Sequence, residues 1–179
     1  EVLATDLDTE KAASEGWVQS NQHARTLADL NSKGICDPER FEKLVRFEFA
    51  DMNNISKNYK DFDFCWSACA LEHLGSLDAG LNFIENSLEC LKPGGVAIHT
   101  TEYNCLSDKR TVSIGGTVIY RMRDFLHFGG NIRKNGHEIS FNFNQGQDAI
   151  DRYVDIAPYS ENKHLKLELM QYTTTSIGL

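Results

Sequence analysis

Short apolar runs, each too brief for a helix, recur along the chain between longer amphipathic stretches, and this alternation constrains the fold more than any other feature. Val2–Thr5 is the first such run, Leu44–Ala50 (LVRFEFA) the second, Phe62–Ser67 (FDFCWS) the third and Val96–Thr101 (VAIHTT) the fourth. Strand and helix patterns that alternate in this way predict a parallel sheet covered on both faces. After the first run, Asp8 or Thr9 can cap a helix continuing through Trp17, Val18, Ala24, Leu27 and Leu30 to Lys33-Gly34, and Gly34–Arg40, with its Pro38, reads as a connection. Ser76 caps a second helix, in which Leu77, Leu81, Ile84, Leu88 and Leu91 recur at spacings of three and four, until Lys92-Pro93-Gly94-Gly95 turns the chain into the next strand.

Beyond Glu102 the pattern changes. Gly115-Gly116, flanked by Thr111–Ile114 and Thr117–Tyr120, predicts a hairpin, and Asp124 a cap for a short helix that carries Phe125, Phe128 and Ile132 and closes at Gly136. His137–Asn144 and the alternating Leu165, Leu167 and Leu169 predict an antiparallel pair at one sheet edge.

At 179 residues and 41% hydrophobic, the chain suffices for one globular domain. The sequence has no run of about eighteen apolar residues and no basic-then-apolar leader pattern, so the expectation is a cytoplasmic protein with no membrane partner. Its net charge of −8 is concentrated in residues 1–90, which hold 17 acidic and 8 basic side chains, and this disfavours nucleic acid as a partner. Five cysteines without paired spacing point to reduced thiols, and the histidines His23, His99, His127, His137 and His164 lack metal-ligand spacing, so structural or surface roles are expected for them and no metal.

The series ATDLD, FEFADM, FDFCWSACALEHLG and LKPGGVAIHTTEYN, in that order and spacing, resembles the second to fifth strands of class I S-adenosylmethionine-dependent methyltransferases, and HLKLELMQYTTTSIGL resembles their seventh. Within that family the chain is most similar to small-molecule enzymes of sugar and cell-surface biosynthesis. The resemblance implies a Rossmann-like doubly wound sheet, mostly parallel with an antiparallel edge pair, in a single methyltransferase domain whose residues 104–160 cover the substrate side. It implies S-adenosyl-L-methionine as cofactor and a small-molecule acceptor as substrate. Asp6, with Leu7 beside it, would receive the ribose hydroxyls, because a carboxylate accepts two donors at once. Asp51 would receive the adenine amino group with Met52 against the ring, and Ser67, Ala68 and Cys69 would follow the methionine end. Glu72 and His73 match a recurrent Glu-His pair and are the candidate proton-handling groups, while Glu102, Tyr103 and Asn104 would line the acceptor side.

One departure is large. The family's first strand and its glycine-rich loop have no counterpart, since no Gly-x-Gly-x-Gly occurs in the sequence. The sheet expected is therefore one whose central first strand is absent, a fragment that binds cofactor poorly and self-associates through the unpaired strands. Two other classes share parts of the pattern: a nicotinamide-dependent oxidoreductase, which would also need a glycine fingerprint, and a non-catalytic Rossmann-like binding module.

Overall fold

A computed structural model describes residues 1–20, 22–160 and 165–179, which leaves His164 outside the described residues. They form two compact units, residues 1–56 and 57–179.

The first unit contains β1 (Val2–Asp6), α1 (Thr9–Ser14), α2 (Leu27–Leu30), α3 (Pro38–Leu44) and β2 (Val45–Phe49). The two strands pair in parallel from Val2↔Val45 to Asp6↔Phe49. Asp8 caps α1, its side chain accepting from Glu10 N at 3.0 Å. The single long helix expected here is not formed. Gly16, at φ +86°, stops α1 in a Schellman turn, with Gly16 N donating to Ala13 O and Trp17 N to Ala12 O. The expected connection at 34–40 instead contains the start of α3. Asp37 accepts from Arg40 N at 2.9 Å, and Pro38 takes the first helical position, where no N–H is required.

The second unit begins with β3 (Phe62–Ala68), a 3-10 turn (Leu71–His73), β4 (Gly75–Ser76), α4 (Leu77–Leu88) and β5 (Leu91–Asn104). It continues through β6 (Ile114–Gly115), α5 (Met122–Lys134), α6 (Ala149–Arg152), β7 (Val154–Asp155), β8 (Lys166–Leu169) and β9 (Tyr172–Gly178). The sheet order is β3-β5-β9-β8-β7. Only β3/β5 and β7/β8 run parallel, while β9 is antiparallel to both β5 and β8. The expected mostly parallel sheet is thus corrected to a mixed one. Met170-Gln171, with positive φ values (48° and 71°), joins β8 to β9 as a tight hairpin, and β9 inserts between β5 and β8 antiparallel to both.

Three local expectations also change. Lys92–Gly95 lies within the ladder rather than ahead of it: Leu91 already pairs with Phe62, the next pair is Phe64↔Val96, and the four residues between are looped out. Ile114-Gly115 pairs with Gly75-Ser76 instead of closing a strand hairpin on residues 117–120, although Ile119 N still donates to Val112 O. His137–Asn144 forms no strand, and the antiparallel partner of β8 is β9. The alternation read there is real, since Phe141 and Phe143 turn inward to pack on Phe125 and Tyr103, but their backbone joins no ladder.

The helical expectations hold better. Ser76 Oγ accepts from Ala79 N at 3.1 Å and caps α4, which buries Leu77, Phe83 and Ile84. In α5, Asp124 is the third helical residue rather than the cap: it reaches back to Arg121 N at 2.9 Å, while Phe125, Phe128 and Ile132 face the core. No helix among the described residues is long and apolar enough to cross a membrane.

Candidate functional site

The candidate residues fall at the carboxyl ends of parallel strands, where ligands bind in open α/β sheets. In the first unit, Asp6 closes β1. Its Oδ1 accepts from Leu7 N at 2.7 Å and its Oδ2 from Ala24 N at 2.8 Å, so the carboxylate is held in one orientation. Each oxygen retains capacity for a further donor. Asp51 stands just beyond β2, with Oδ1 accepting from Asn53 N at 2.9 Å and Oδ2 paired to Lys11 Nζ at 3.1 Å. Met52 beside it is half-buried.

In the second unit, Ser67 near the end of β3 turns its hydroxyl inward, 2.8 Å from His99 Nδ1. The protons on this chain can be assigned. Ser87 spends its hydrogen on Ile84 O at 2.7 Å and must accept from His99 Nε2 at 3.2 Å, so Nδ1 is the bare nitrogen and Ser67 donates to it. Burial pushes the His99 pKa down to about 4. The Ser67 hydroxyl therefore has no hydrogen left to donate to a ligand and can only accept. Ala68 is exposed, and Cys69 takes a left-handed conformation, with its N donating to Thr100 O at 3.0 Å and its thiol 3.4 Å from Ser176 Oγ.

Glu72 is 1% exposed and accepts from Thr101 Oγ1 at 2.9 Å. Burial raises its pKa to about 7, with a smaller push in the same direction from Glu102. His73 Nδ1 lies 2.9 Å from Gly116 O. A carbonyl only accepts, so Nδ1 carries the proton and Nε2 is the basic nitrogen. Glu102 Oε1 accepts from Ser176 Oγ at 3.4 Å, and its Oε2 is buried with no donor among the described residues. Cys69, Glu72 and Glu102 bring one ligating atom each to within 4.8 Å of one another, the one such group among the described residues.

The other acceptor-side candidates are placed differently. Tyr103 is buried, its ring against Phe143, and burial raises its pKa. The side chain of Asn104 is committed to the following loop: it accepts from Leu106 N and Ser107 N, both at 2.9 Å, and donates to Arg110 O at 3.0 Å. Sequence reading overlooked Thr101 and Ser176, neither of which carried a signal. His99, for which a structural or surface role was expected, is a buried structural histidine whose serine partners are remote in sequence.

No family model matches the chain, and no curated protein does. Among solved structures it is similar to the cyclase SpnF, at 18% identity over 72% of this chain and 41% of that one, with a TM-score of 0.45. It is similar to DhpI in complex with SAM and HEP, at 13% identity over 100% of this chain and 68% of that one, TM-score 0.48. A third, an S-adenosylmethionine-dependent methyltransferase from Mesorhizobium loti, shares 13% identity over 99% of this chain and 80% of its own, TM-score 0.48. The chain thus spans less than half of the SpnF chain. These are distant likenesses of fold.

Proposed function

We propose that the chain binds S-adenosylmethionine and serves methyl transfer to a small-molecule acceptor of the sugar or cell-surface precursor kind. The observation that carries this reading is the pair of acids at the ends of two adjacent parallel strands, Asp6 with its carboxylate fixed by two backbone donors and Asp51 just past the neighbouring strand. A fixed carboxylate at one strand end suits a sugar diol, and a second suits an exocyclic amine.

Bound S-adenosylmethionine supplies an electrophilic methyl group. The chain's own work is then mostly orientation and exclusion of water. Asp6 and Leu7 hold the ribose, and Asp51 and Met52 the adenine. His73 Nε2 can receive a proton from an acceptor hydroxyl, and Glu72, with its pKa near 7, can hold or release one at neutral pH. Glu102 offers its donor-free Oε2 to an acceptor hydroxyl.

Adenosine tests the binding step, because Asp6 and Asp51 are assigned to that end of the cofactor. Titration followed by backbone NMR should move the resonances of residues 6–7 and 51–52 with a Kd of about 1 mM or tighter, and Asp6→Asn should weaken it. No binding by the folded chain overturns the reading. Mass-spectrometric detection of methylated product across sugar and non-sugar acceptors tests the transfer.

A further inference from the structure

His23 belongs to the segment between α1 and α2, and its Nε2 lies 2.7 Å from the carbonyl oxygen of Leu7. That carbonyl can only accept, so Nε2 carries the proton and the neutral ring presents Nδ1 as an acceptor. Nδ1 is buried and meets no donor among the described residues. A buried acceptor without a donor costs free energy, and such groups in folded proteins nearly always have a partner. Two further contacts fix where this nitrogen sits. The ring lies parallel to Phe49, at 3° with centroids 6.4 Å apart, and Phe49 is the register partner of Asp6. The next residue, Ala24, donates its N–H to Asp6 Oδ2 at 2.8 Å. One loop is thereby tied through consecutive residues to Asp6 and Leu7, and it carries its unsatisfied acceptor to the end of β1.

We infer that His23 is a ligand-contacting residue whose Nδ1 accepts a hydrogen bond from a sugar hydroxyl of the nucleoside received by Asp6. Both oxygens of Asp6 already accept one backbone N–H each. A cis-diol brings two hydroxyl hydrogens to this corner, and a second fixed acceptor takes one of them. The inference rests on the adenosyl-binding reading above.

The test compares adenosine with 2′-deoxyadenosine and 3′-deoxyadenosine on the full chain, before and after His23→Phe, which keeps a ring against Phe49. The wild type should bind adenosine more tightly than at least one deoxynucleoside. His23→Phe should weaken adenosine about tenfold and abolish that preference, and long-range 1H–15N spectra of the wild type should show His23 Nδ1 shifting with adenosine but not with the disfavoured deoxynucleoside. The spectra need no variant and decide the matter if His23→Phe does not fold. An unmoved Nδ1 in a wild type that binds adenosine overturns the role of His23 alone. No adenosine binding by the wild type removes the adenosyl reading and this inference together.

Discussion

Residues 57–179 and residues 1–56 reach order by different routes. The larger unit completely buries Leu71, Val118, Ile119, Tyr120 and Phe125, whereas Ala12 is the only buried apolar residue among those described in the smaller one. In place of a core the smaller unit has polar stitches: Asp6 holding Ala24, His23 holding Leu7, and the Asn31 side chain bonded to both the N and the O of Cys36. Such bonds fix geometry but contribute modestly, about 1 kcal/mol each. The unit that carries the proposed nucleoside residues is therefore the one expected to open at lower free energy, and ligand should stabilise it most.

The sharpest way to break this contrast is to remove part of the larger core. Phe125 packs on Tyr120 and Phe141, with ring centroids 5.1 and 5.7 Å away. Phe125→Ala should cost about 3–5 kcal/mol in denaturant unfolding, with the loss confined to residues 57–179 in hydrogen exchange. An equal loss of protection in residues 1–56 would mean that the two units do not unfold separately.

Titration separates two buried groups that pull in opposite directions. Glu72, raised to about 7 from 4.5, contributes stability that is complete below pH 4.5 and is lost as pH rises through 7. His99, lowered to about 4 from 6.5, contributes stability that is complete above pH 6.5 and is lost as pH falls through 4. The two slopes oppose each other between pH 4.5 and 6.5. Glu72→Gln should remove the first, leaving a larger unit whose stability rises from pH 4 to 6.5 and then levels, and above pH 7 the variant should be more stable by on the order of 2 kcal/mol. Unfolding midpoints across that range check the sign. A falling limb above pH 6.5 in Glu72→Gln would assign that slope to another group.

These pairings also mark what sequence could and could not show. The strands β1, β2, β3 and β5 and the helices α4 and α5 were legible because each carries its own signal: an apolar run, a cap, or a three-four spacing. Asp6 and Asp51 were legible as acids ending such runs. Lys92-Pro93-Gly94-Gly95 was misread because the same residues serve a turn before a strand or a loop within one, and only the partner, Phe62↔Leu91, decides. The segment around Phe141 and Phe143 carried a strand's alternation, which reports burial on one side and not hydrogen bonding to a neighbour. His23 had no local signal at all, because its meaning depends on the carbonyl of Leu7, sixteen residues away.

Asp6→Ala should be weaker than the core deletion in energy but wider in effect within the smaller unit. It removes the acceptor for both Leu7 N and Ala24 N. The expected cost is about 1–3 kcal/mol, read as faster exchange at residues 22–24 and loss of adenosine binding, with protection in residues 57–179 unchanged. Retained adenosine affinity would dissociate Asp6 from the ligand.

The smallest expected effect makes the cleanest comparison, because the same device closes one helix in each unit. Gly16 ends α1 at φ +86° and Gly136 follows α5 at φ +89°, each with the Schellman pair of bonds: Gly136 N donates to Arg133 O and His137 N to Ile132 O, as Gly16 N and Trp17 N do to Ala13 O and Ala12 O. A Cβ at either position would meet nothing within 4 Å, so substitution tests conformation alone. Gly16→Ala and Gly136→Ala should each cost about 1 kcal/mol for placing a side chain in the left-handed region. The matched local cost should surface differently. In the larger unit α5 is anchored by Phe125, Phe128 and Ile132, so Gly136→Ala should lower the global unfolding free energy by the full amount. In the smaller unit α1 buries only Ala12, so Gly16→Ala should appear as faster exchange at residues 9–17 while global unfolding of residues 57–179 stays unchanged. Equal shifts of the global transition in both variants would show that the smaller unit shares the larger one's cooperativity despite its lack of a core.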